Sequence, residues 1–142
     1  MIYFHTQDIK FTLKNKVILK QWITSTIKKK KRKAGELNFI FCSDDQLLSL
    51  NKQHLDHDTY TDIITFDYSQ GNPNLDISGD VYISIERVKE NALKFSKSFE
   101  DELHRILIHG TLHLLGYKDK TKIAKAEMTL QEDRCLKQLP KF

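Results

Sequence analysis

Apolar and polar positions follow two periods along the chain, and the change from one period to the other predicts the order of the elements. Apolar runs or alternation with a period of two predict four β-strands, at residues 1–6, 36–42, 63–68 and 80–86. A period near 3.6 predicts five helices, at residues 13–30, 43–54, 87–97, 98–115 and 121–139. The predicted order is therefore β-α-β-α-β-β-α-α-α, with a loop over residues 69–79.

This order predicts an α+β fold: a small mixed β-sheet of about four strands packed against a buried central helix and several other helices. The central helix is residues 98–115, since it is apolar nearly all round. The chain of 142 residues is long enough for one hydrophobic core. We therefore expect a single domain over residues 1–142.

Two details of the pattern give sharper expectations. In the first helix one apolar side is expected to carry five residues: Leu13, Val17, Ile18, Trp22 and Ile27. In the last strand one face is expected to carry three: Val81, Ile83 and Ile85. Ser43 and Ser98 suit helix N-caps, with Gln46 completing a capping box after Ser43. Gly116 suits the left-handed position that ends the central helix.

The composition changes this picture little. With 39% hydrophobic and 30% charged residues the chain is ordinary for a globular protein, and no apolar run reaches the length of a membrane span. The amino terminus lacks the apolar core of a signal peptide. Cys42 and Cys135 are too few for a disulfide framework and are expected to be buried thiols. The cytoplasm is therefore the expected compartment.

The net charge of +4 is concentrated in one place, because six consecutive cations form what is called here the basic segment: Lys28, Lys29, Lys30, Lys31, Arg32 and Lys33. Without them the chain is slightly acidic. Such a segment is either a solvated helix end, where cations complement the helix dipole, or a surface that binds RNA phosphates. Both interpretations stay open on the sequence.

Chemistry is suggested most strongly by the stretch HGTLHLLGYKD, residues 109–119. His109 and His113 are one helical turn apart and project from the same face. Gly116 allows the chain to reverse, which brings Asp119 within reach of both imidazoles. The spacing predicts a metal site of His109, His113 and Asp119, with zinc as the expected ion. Three protein ligands leave a position open for water, as in catalytic zinc sites.

Gly110 separates this stretch from the helical zinc proteases, which carry a glutamate general base directly after the first histidine. A peptidase of that kind is therefore disfavoured. Gly110 is instead expected to open space beside the metal. His54, Asp56, His57 and Asp58 form a second polar segment that could approach the ion, with a solvated loop as the alternative.

The same residues resemble the YbeY family of bacterial endoribonucleases and ribosomal RNA maturation factors, whose signature is His-Gly-x-Leu-His-Leu-x-Gly-Tyr-Asp-His. LNKQHLDHDTYTDIITFDY and GDVYIS resemble the segments upstream of that signature, and Met128 falls where the family has a methionine. The likeness covers residues 36–136. It departs at Asp119, where the family has its third histidine ligand, at Lys118, where it has aspartate, and at Leu55, where it has an arginine thought to act in catalysis.

The resemblance implies a metal-dependent endoribonuclease specific for single strands. Its implied role is to mature the 3′ end of small-subunit ribosomal RNA and to act in ribosome quality control. Implied partners are single-stranded and ribosomal RNA, the small ribosomal subunit and ribosome-associated proteins, without a membrane. A non-catalytic, metal-binding ribosome assembly factor is the alternative that Leu55 favours. Another zinc hydrolase and a non-haem iron enzyme are further alternatives, since two histidines and a carboxylate also suit iron. No residue in the sequence stands out as the general base.

Overall fold

The structure, a computed structural model, describes residues 1–55, 61–70 and 72–140, with His54 and Leu55 described by their backbone alone. The four described strands are β1 (Ile2–Thr6), β2 (Ala34–Cys42), β3 (Ile63–Asp67) and β4 (Ile77–Ser84). The five described helices are α1 (Lys16–Lys29), α2 (Asp44–Leu55), α3 (Ile85–Lys94), α4 (Phe99–Leu114) and α5 (Lys122–Gln138). This order is the predicted one, and the α+β class is confirmed.

The four strands form one mixed sheet in the order β1-β2-β4-β3. β1 and β4 both pair with β2 in parallel, and β3 pairs with β4 antiparallel. The main core includes Phe39 and Phe41 of β2, Val81 and Ile83 of β4, and the apolar side of α4. A smaller cluster, centred on Leu47 of α2 and Ile64 of β3, lies apart from it. The sheet is thus the support on which α4 rests.

The first helix is shorter than predicted and turned differently. It begins at Lys16, after Asn15 in the left-handed conformation, so Leu13 is buried ahead of the helix and not within it. The buried side has the spacing i, i+3, i+4, i+7, i+8 expected of a packed helix: Leu19, Trp22, Ile23, Thr26 and Ile27. Val17 lies off this stripe and is 68% exposed. The expectation for Val17 was wrong.

The boundaries of β4 also differ from the prediction. Residues 77–79 are strand and not loop, because Ile77 and Gly79 pair with β2. A side chain at Gly79 would collide with the carbonyl oxygen of Phe66 on β3, so glycine permits the close approach of the two strands. Ile85 begins α3 and does not continue the strand, because the Ser84 hydroxyl accepts the Arg87 N–H as an N-cap.

The predicted caps of α2 and α4 are confirmed, with one change. The Ser43 hydroxyl accepts the Gln46 N–H, and the Ser98 hydroxyl accepts the Asp101 N–H. The capping box around Ser43 is completed from elsewhere, because the Ser43 N–H donates to the carboxylate of Asp8 at 3.1 Å. A residue 35 positions earlier thus takes the place expected for Gln46.

Candidate metal centre

Helix α4 places two imidazoles beside each other at its carboxyl end. His109 and His113 lie one turn apart, with ring centroids 4.6 Å apart and planes nearly perpendicular. Their side chains are 20% and 24% exposed, whereas the opposite side of α4 is fully buried against the sheet. The two rings therefore lie at the edge of the core, where solvent reaches them.

A left-handed turn at Gly116 returns the chain toward these rings. The Tyr117 N–H donates to the carbonyl of Leu112 and the Gly116 N–H to that of His113, the hydrogen-bond pattern of a Schellman motif. Gly116 has φ +106°, which a residue with a side chain adopts only at a cost. Thr121 then caps α5. Asp119 is held in the short link between these two helix ends.

His109, His113 and Asp119 come together as the spacing predicted. Each offers a ligand atom, and the three atoms lie within 4.8 Å of one another. Asp119 Oδ2 is 3.4 Å from His109 Nε2 and 3.2 Å from His113 Nε2. Ligand atoms around a tetrahedral zinc ion are about 3.4 Å apart, given metal–ligand bonds of about 2.1 Å. Two imidazole nitrogens and one carboxylate oxygen thus fit this ion in chemistry and in spacing.

Helix α5 supplies a second layer of charge behind His109. Glu132 is buried, and its Oε2 lies 2.5 Å from His109 Nδ1. Arg105, one turn before His109 on α4, donates to Glu132 Oε1 at 2.8 Å and to Asp133 Oδ1 at 2.7 Å. The two helices are therefore joined by a chain of charged groups that ends on a candidate ligand.

A cavity of about 220 Å³ opens beside the centre between α4 and α5. It reaches His109 and Asp119, and its further walls include Asp62, Glu102, Lys125 and Met128. Glu102 is buried, and no hydrogen bond or ion pair to its carboxylate occurs among the residues that the structure describes. The cavity is thus lined mainly by charged and polar residues and gives direct access to two of the three candidate ligands.

Burial and neighbouring charge shift the pKa values here in different directions. Burial lowers the pKa of His113, and the charge of His109 lowers it further, against the effect of Asp119. Burial also opposes a charged His109, but the hydrogen bond and the charge of Glu132 outweigh it and raise the pKa of His109. The pKa of Glu102 is raised by burial and then by Asp62. These carboxylates and imidazoles thus act on one another through a shared, poorly solvated space.

The expectation that Gly110 opens space beside the metal was wrong. Gly110 is buried against the sheet, and a Cβ there would come within 2.8 Å of Val81 and 3.1 Å of Ile63. One residue along a helix turns the side chain by about 100°, so Gly110 faces β3 and β4 while His109 faces α5. Glycine at this position lets α4 approach the sheet closely.

His104 lies away from the centre, as predicted from its position five residues before His109. It is buried, and its ring packs edge-on against Trp22 of α1 at 6.4 Å. Asp56, His57 and Asp58, and the side chains of His54 and Leu55, lie outside the part of the chain that the structure describes. Cys42 and Cys135 are free and buried, as expected.

The basic segment spans the end of α1 and the link to β2, and its six residues do not share one role. Lys28, Lys29, Lys31 and Lys33 are exposed. Lys30 donates to Gln131 Oε1 at 2.9 Å and lies over the ring of Tyr117. Arg32 donates to the carbonyls of Asn72 and Leu75 at 3.1 and 3.0 Å. Phosphate binding by the segment stays a prediction, and four of its cations point to solvent.

Sequence reasoning missed the charged residues around the centre. Arg105 and Glu102 are four and seven positions before His109, so helical spacing alone places them on its side of α4. Glu132 lies on the buried stripe of α5 with Met128 and Cys135. Acidic residues are rarely buried unless they are paired, so its position in this stripe indicates a buried partner. The contact between Glu132 and His109 could not be predicted from local sequence, because 23 positions separate the two residues.

Comparison with known proteins gives a consistent result. The protein family described as Endoribonuclease YbeY matches residues 1–140. A relative from Cytophaga hutchinsonii, named Endoribonuclease YbeY, is 48% identical over 95% of this chain and 93% of its own length. One of the same name from Flavobacterium psychrophilum is 47% identical, over 96% of this chain and 95% of its own.

Among solved structures, the chain resembles the solution structure of a protein from Thermotoga maritima. The two superimpose with a TM-score of 0.63 at 29% sequence identity. The match covers 97% of this chain and 91% of the other. Both the sequence and the fold are therefore shared along nearly the whole length. Within the described residues, no helix is both long enough and apolar enough to cross a membrane.

Proposed function

Because the chain belongs to the Endoribonuclease YbeY family, we propose that it is a metal-dependent endoribonuclease, a hydrolase that cuts phosphodiester bonds within RNA. The family match confirms the resemblance drawn from its motifs. Its homologues are named for cleavage of RNA, so the non-catalytic alternative is not favoured. The peptidase alternative still lacks a base, since Gly110 follows the first histidine and faces the sheet.

The observation that carries the proposal is the convergence of His109, His113 and Asp119, two of which, His109 and Asp119, line the cavity. We propose these three residues as the ligands of one metal ion, with zinc as the ion that their chemistry suits. Such an ion, when bound, acts as a Lewis acid and lowers the pKa of bound water. Three protein ligands leave room for water or substrate on the solvent side.

The chain's own groups hold and orient the site. Asp119 offers a short carboxylate ligand from the link that follows Gly116, and α4 keeps the two imidazoles at the spacing of one helical turn. The cavity between α4 and α5 offers the substrate a path to His109 and Asp119. The exposed lysines of the basic segment would add affinity for the phosphate backbone that does not depend on sequence.

The substrate we propose is single-stranded RNA, in particular the 3′ end of small-subunit ribosomal RNA, on or near the small ribosomal subunit and its associated proteins. A reducing cytoplasm suits the two free, buried thiols, Cys42 and Cys135. The 3′ end as cleavage site rests on the family resemblance. The exposed lysines of the basic segment are consistent with an extended anionic substrate.

Cleavage of single-stranded RNA by metal-loaded protein tests this function. Wild type should cut single-stranded RNA and leave a matched duplex intact, and removal of the metal with a chelator should stop the reaction. His113→Ala should fold, as judged by circular dichroism, and should lack activity. Cleavage by His113→Ala at the wild-type rate would show that another site, or a contaminating nuclease, does the work.

A further inference from the structure

Glu132 is the one acid of α5 that contacts a candidate metal ligand among the residues that the structure describes. Its side chain is only 8% exposed, and its Oε2 meets His109 Nδ1 at 2.5 Å. A buried carboxylate costs free energy unless its oxygens have partners. Both of its oxygens do, since Oε1 accepts from Arg105 at 2.8 Å. Contacts on both oxygens thus hold this side chain in place.

The contact decides which nitrogen of His109 carries the proton. An ionised carboxylate only accepts hydrogen bonds, so Nδ1 must be the donor. A neutral imidazole protonated at Nδ1 has its lone pair at Nε2. In this structure Nε2 is the atom that faces Asp119, at 3.4 Å. The hydrogen bond to Glu132 therefore selects the form of His109 that can bind a cation together with Asp119 and His113.

Arg105 fixes the position of the Glu132 carboxylate. Its guanidinium binds Glu132 on one branch and Asp133 on the other, at 2.8 and 2.7 Å. Arg105 and His109 are one turn apart on α4, so one face of α4 grips Glu132 at both oxygens. Asp133 shares the arginine but makes no contact with His109 in the described structure. Asp133 therefore contributes only to the pairing of α4 with α5, whereas Glu132 also contacts His109. Variants of these two neighbouring acids can distinguish the two roles.

We propose that Glu132 is a positioning residue that holds the ring and the tautomer of His109 for the metal ion, with Arg105 fixing Glu132. The proposal rests on the metal site of the proposed function and not on the RNA that the site cleaves. Outer partners of metal-bound histidines typically change metal affinity by about 10- to 100-fold. A residue that merely joined α4 to α5 would instead change stability and leave metal affinity unchanged.

The test is a competition titration with Zn²⁺ on wild type, Glu132→Ala, Glu132→Gln and Asp133→Asn, with thermal unfolding of each metal-free protein. Glu132→Ala should lower zinc affinity by about 10- to 100-fold. Glu132→Gln keeps an acceptor oxygen for Nδ1–H, so it should recover part of that affinity. Asp133→Asn, the matched control, weakens the same arginine pairing and should leave zinc affinity close to that of wild type.

The tautomer gives a readout independent of affinity. In metal-free wild type, nitrogen-15 NMR of the imidazoles should show His109 protonated at Nδ1, and Glu132→Ala should shift that population toward Nε2. If Glu132→Ala does not fold, the comparison of Glu132→Gln with Asp133→Asn decides the matter. Equal zinc affinity in these two variants, or an unchanged tautomer in a folded Glu132 variant, overturns the proposal. Tight zinc binding without cleavage of RNA would instead refute only the proposed function.

Discussion

The candidate metal centre and the basic segment are the two conspicuous features of the sequence. Folding brings the residues of the first together and separates those of the second. Asp119 lies six to ten positions from the two histidines, yet its carboxylate is within 3.4 Å of both. The basic segment is contiguous, yet its members separate. Lys30 and Arg32 bind neighbouring elements, while the side chains of the other four remain in solvent: Lys28, Lys29, Lys31 and Lys33.

The difference shows which kind of sequence pattern predicts the arrangement of side chains in the folded protein. The spacing of the two histidines fixes their relative position through helix geometry, which is the same wherever the helix packs. The net charge of a run of cations does not say where each side chain points. Some of these cations can form contacts within the protein. A positive run therefore overstates the positive surface. Variants that change one of these regions and leave the other intact separate their roles.

Removal of a ligand should have the largest effect. His109→Ala removes one of three proposed donors, so zinc affinity should fall by more than the roughly 100-fold that removal of an outer partner costs. Isothermal titration or chelator competition measures this. His104→Gln is the matched control, because His104 lies on the same helix but packs against Trp22 instead. Zinc binding of wild-type strength in His109→Ala would remove His109 from the site.

Changes in the basic segment should act on RNA binding and leave the metal untouched. Replacing Lys28, Lys29, Lys31 and Lys33 with glutamine should flatten the dependence of RNA affinity on salt, by about 0.7 in logarithmic slope for each RNA phosphate that the variant no longer neutralises. Fluorescence anisotropy at several salt concentrations measures the slope. A double variant of Lys30 and Arg32 to glutamine is the control and should change it less. An unchanged slope in the fourfold variant would mean a solvated helix end.

Arg32 should instead matter for stability. Arg32→Gln lacks the charged donor to the carbonyls of Asn72 and Leu75, which should lower the free energy of unfolding by about 1 kcal/mol. Urea unfolding compares this variant with Lys33→Gln, an exposed neighbour that should have almost no effect. Equal stability of the two variants would contradict an internal role for Arg32.

The smallest expected effect is a pH dependence of stability, caused by a carboxyl group beside the candidate metal centre. Burial, followed by the charge of Asp62, raises the pKa of Glu102 above its ordinary value of 4.5. The folded state therefore binds this proton more tightly than the unfolded state. The resulting stabilisation is complete below pH 4.5 and is lost as the pH rises through the folded pKa.

Glu102→Gln removes this titration with little change of shape. The metal-free variant should therefore be more stable than wild type near pH 7, and the advantage should shrink toward pH 4. Denaturant unfolding at several pH values measures the difference. Glu100→Gln, an exposed acid on the same helix, should show no such trend. An advantage for Glu102→Gln that is constant with pH would mean that the carboxyl of Glu102 does not titrate in this range.

Much of the fold could be read from short-range patterns. Four features depend on residues close together in the chain: the order of the nine described elements, the serine caps of α2 and α4, the turn at Gly116, and the group of His109, His113 and Asp119. Hydrophobic period, cap chemistry and helical spacing act over about one to three turns, so they need no knowledge of the rest of the molecule.

The failed expectations share the opposite property, because each depends on a distant partner. Val17 is exposed because the sheet and α4 select another stripe of α1, and Gly110 faces β3 and β4 because α4 approaches them closely. Arg32 is held by a loop 40 or more positions away. Glu132 meets His109 because α5 packs on α4. Local preferences set each element, while the burial of apolar surface between distant elements sets which side chains meet.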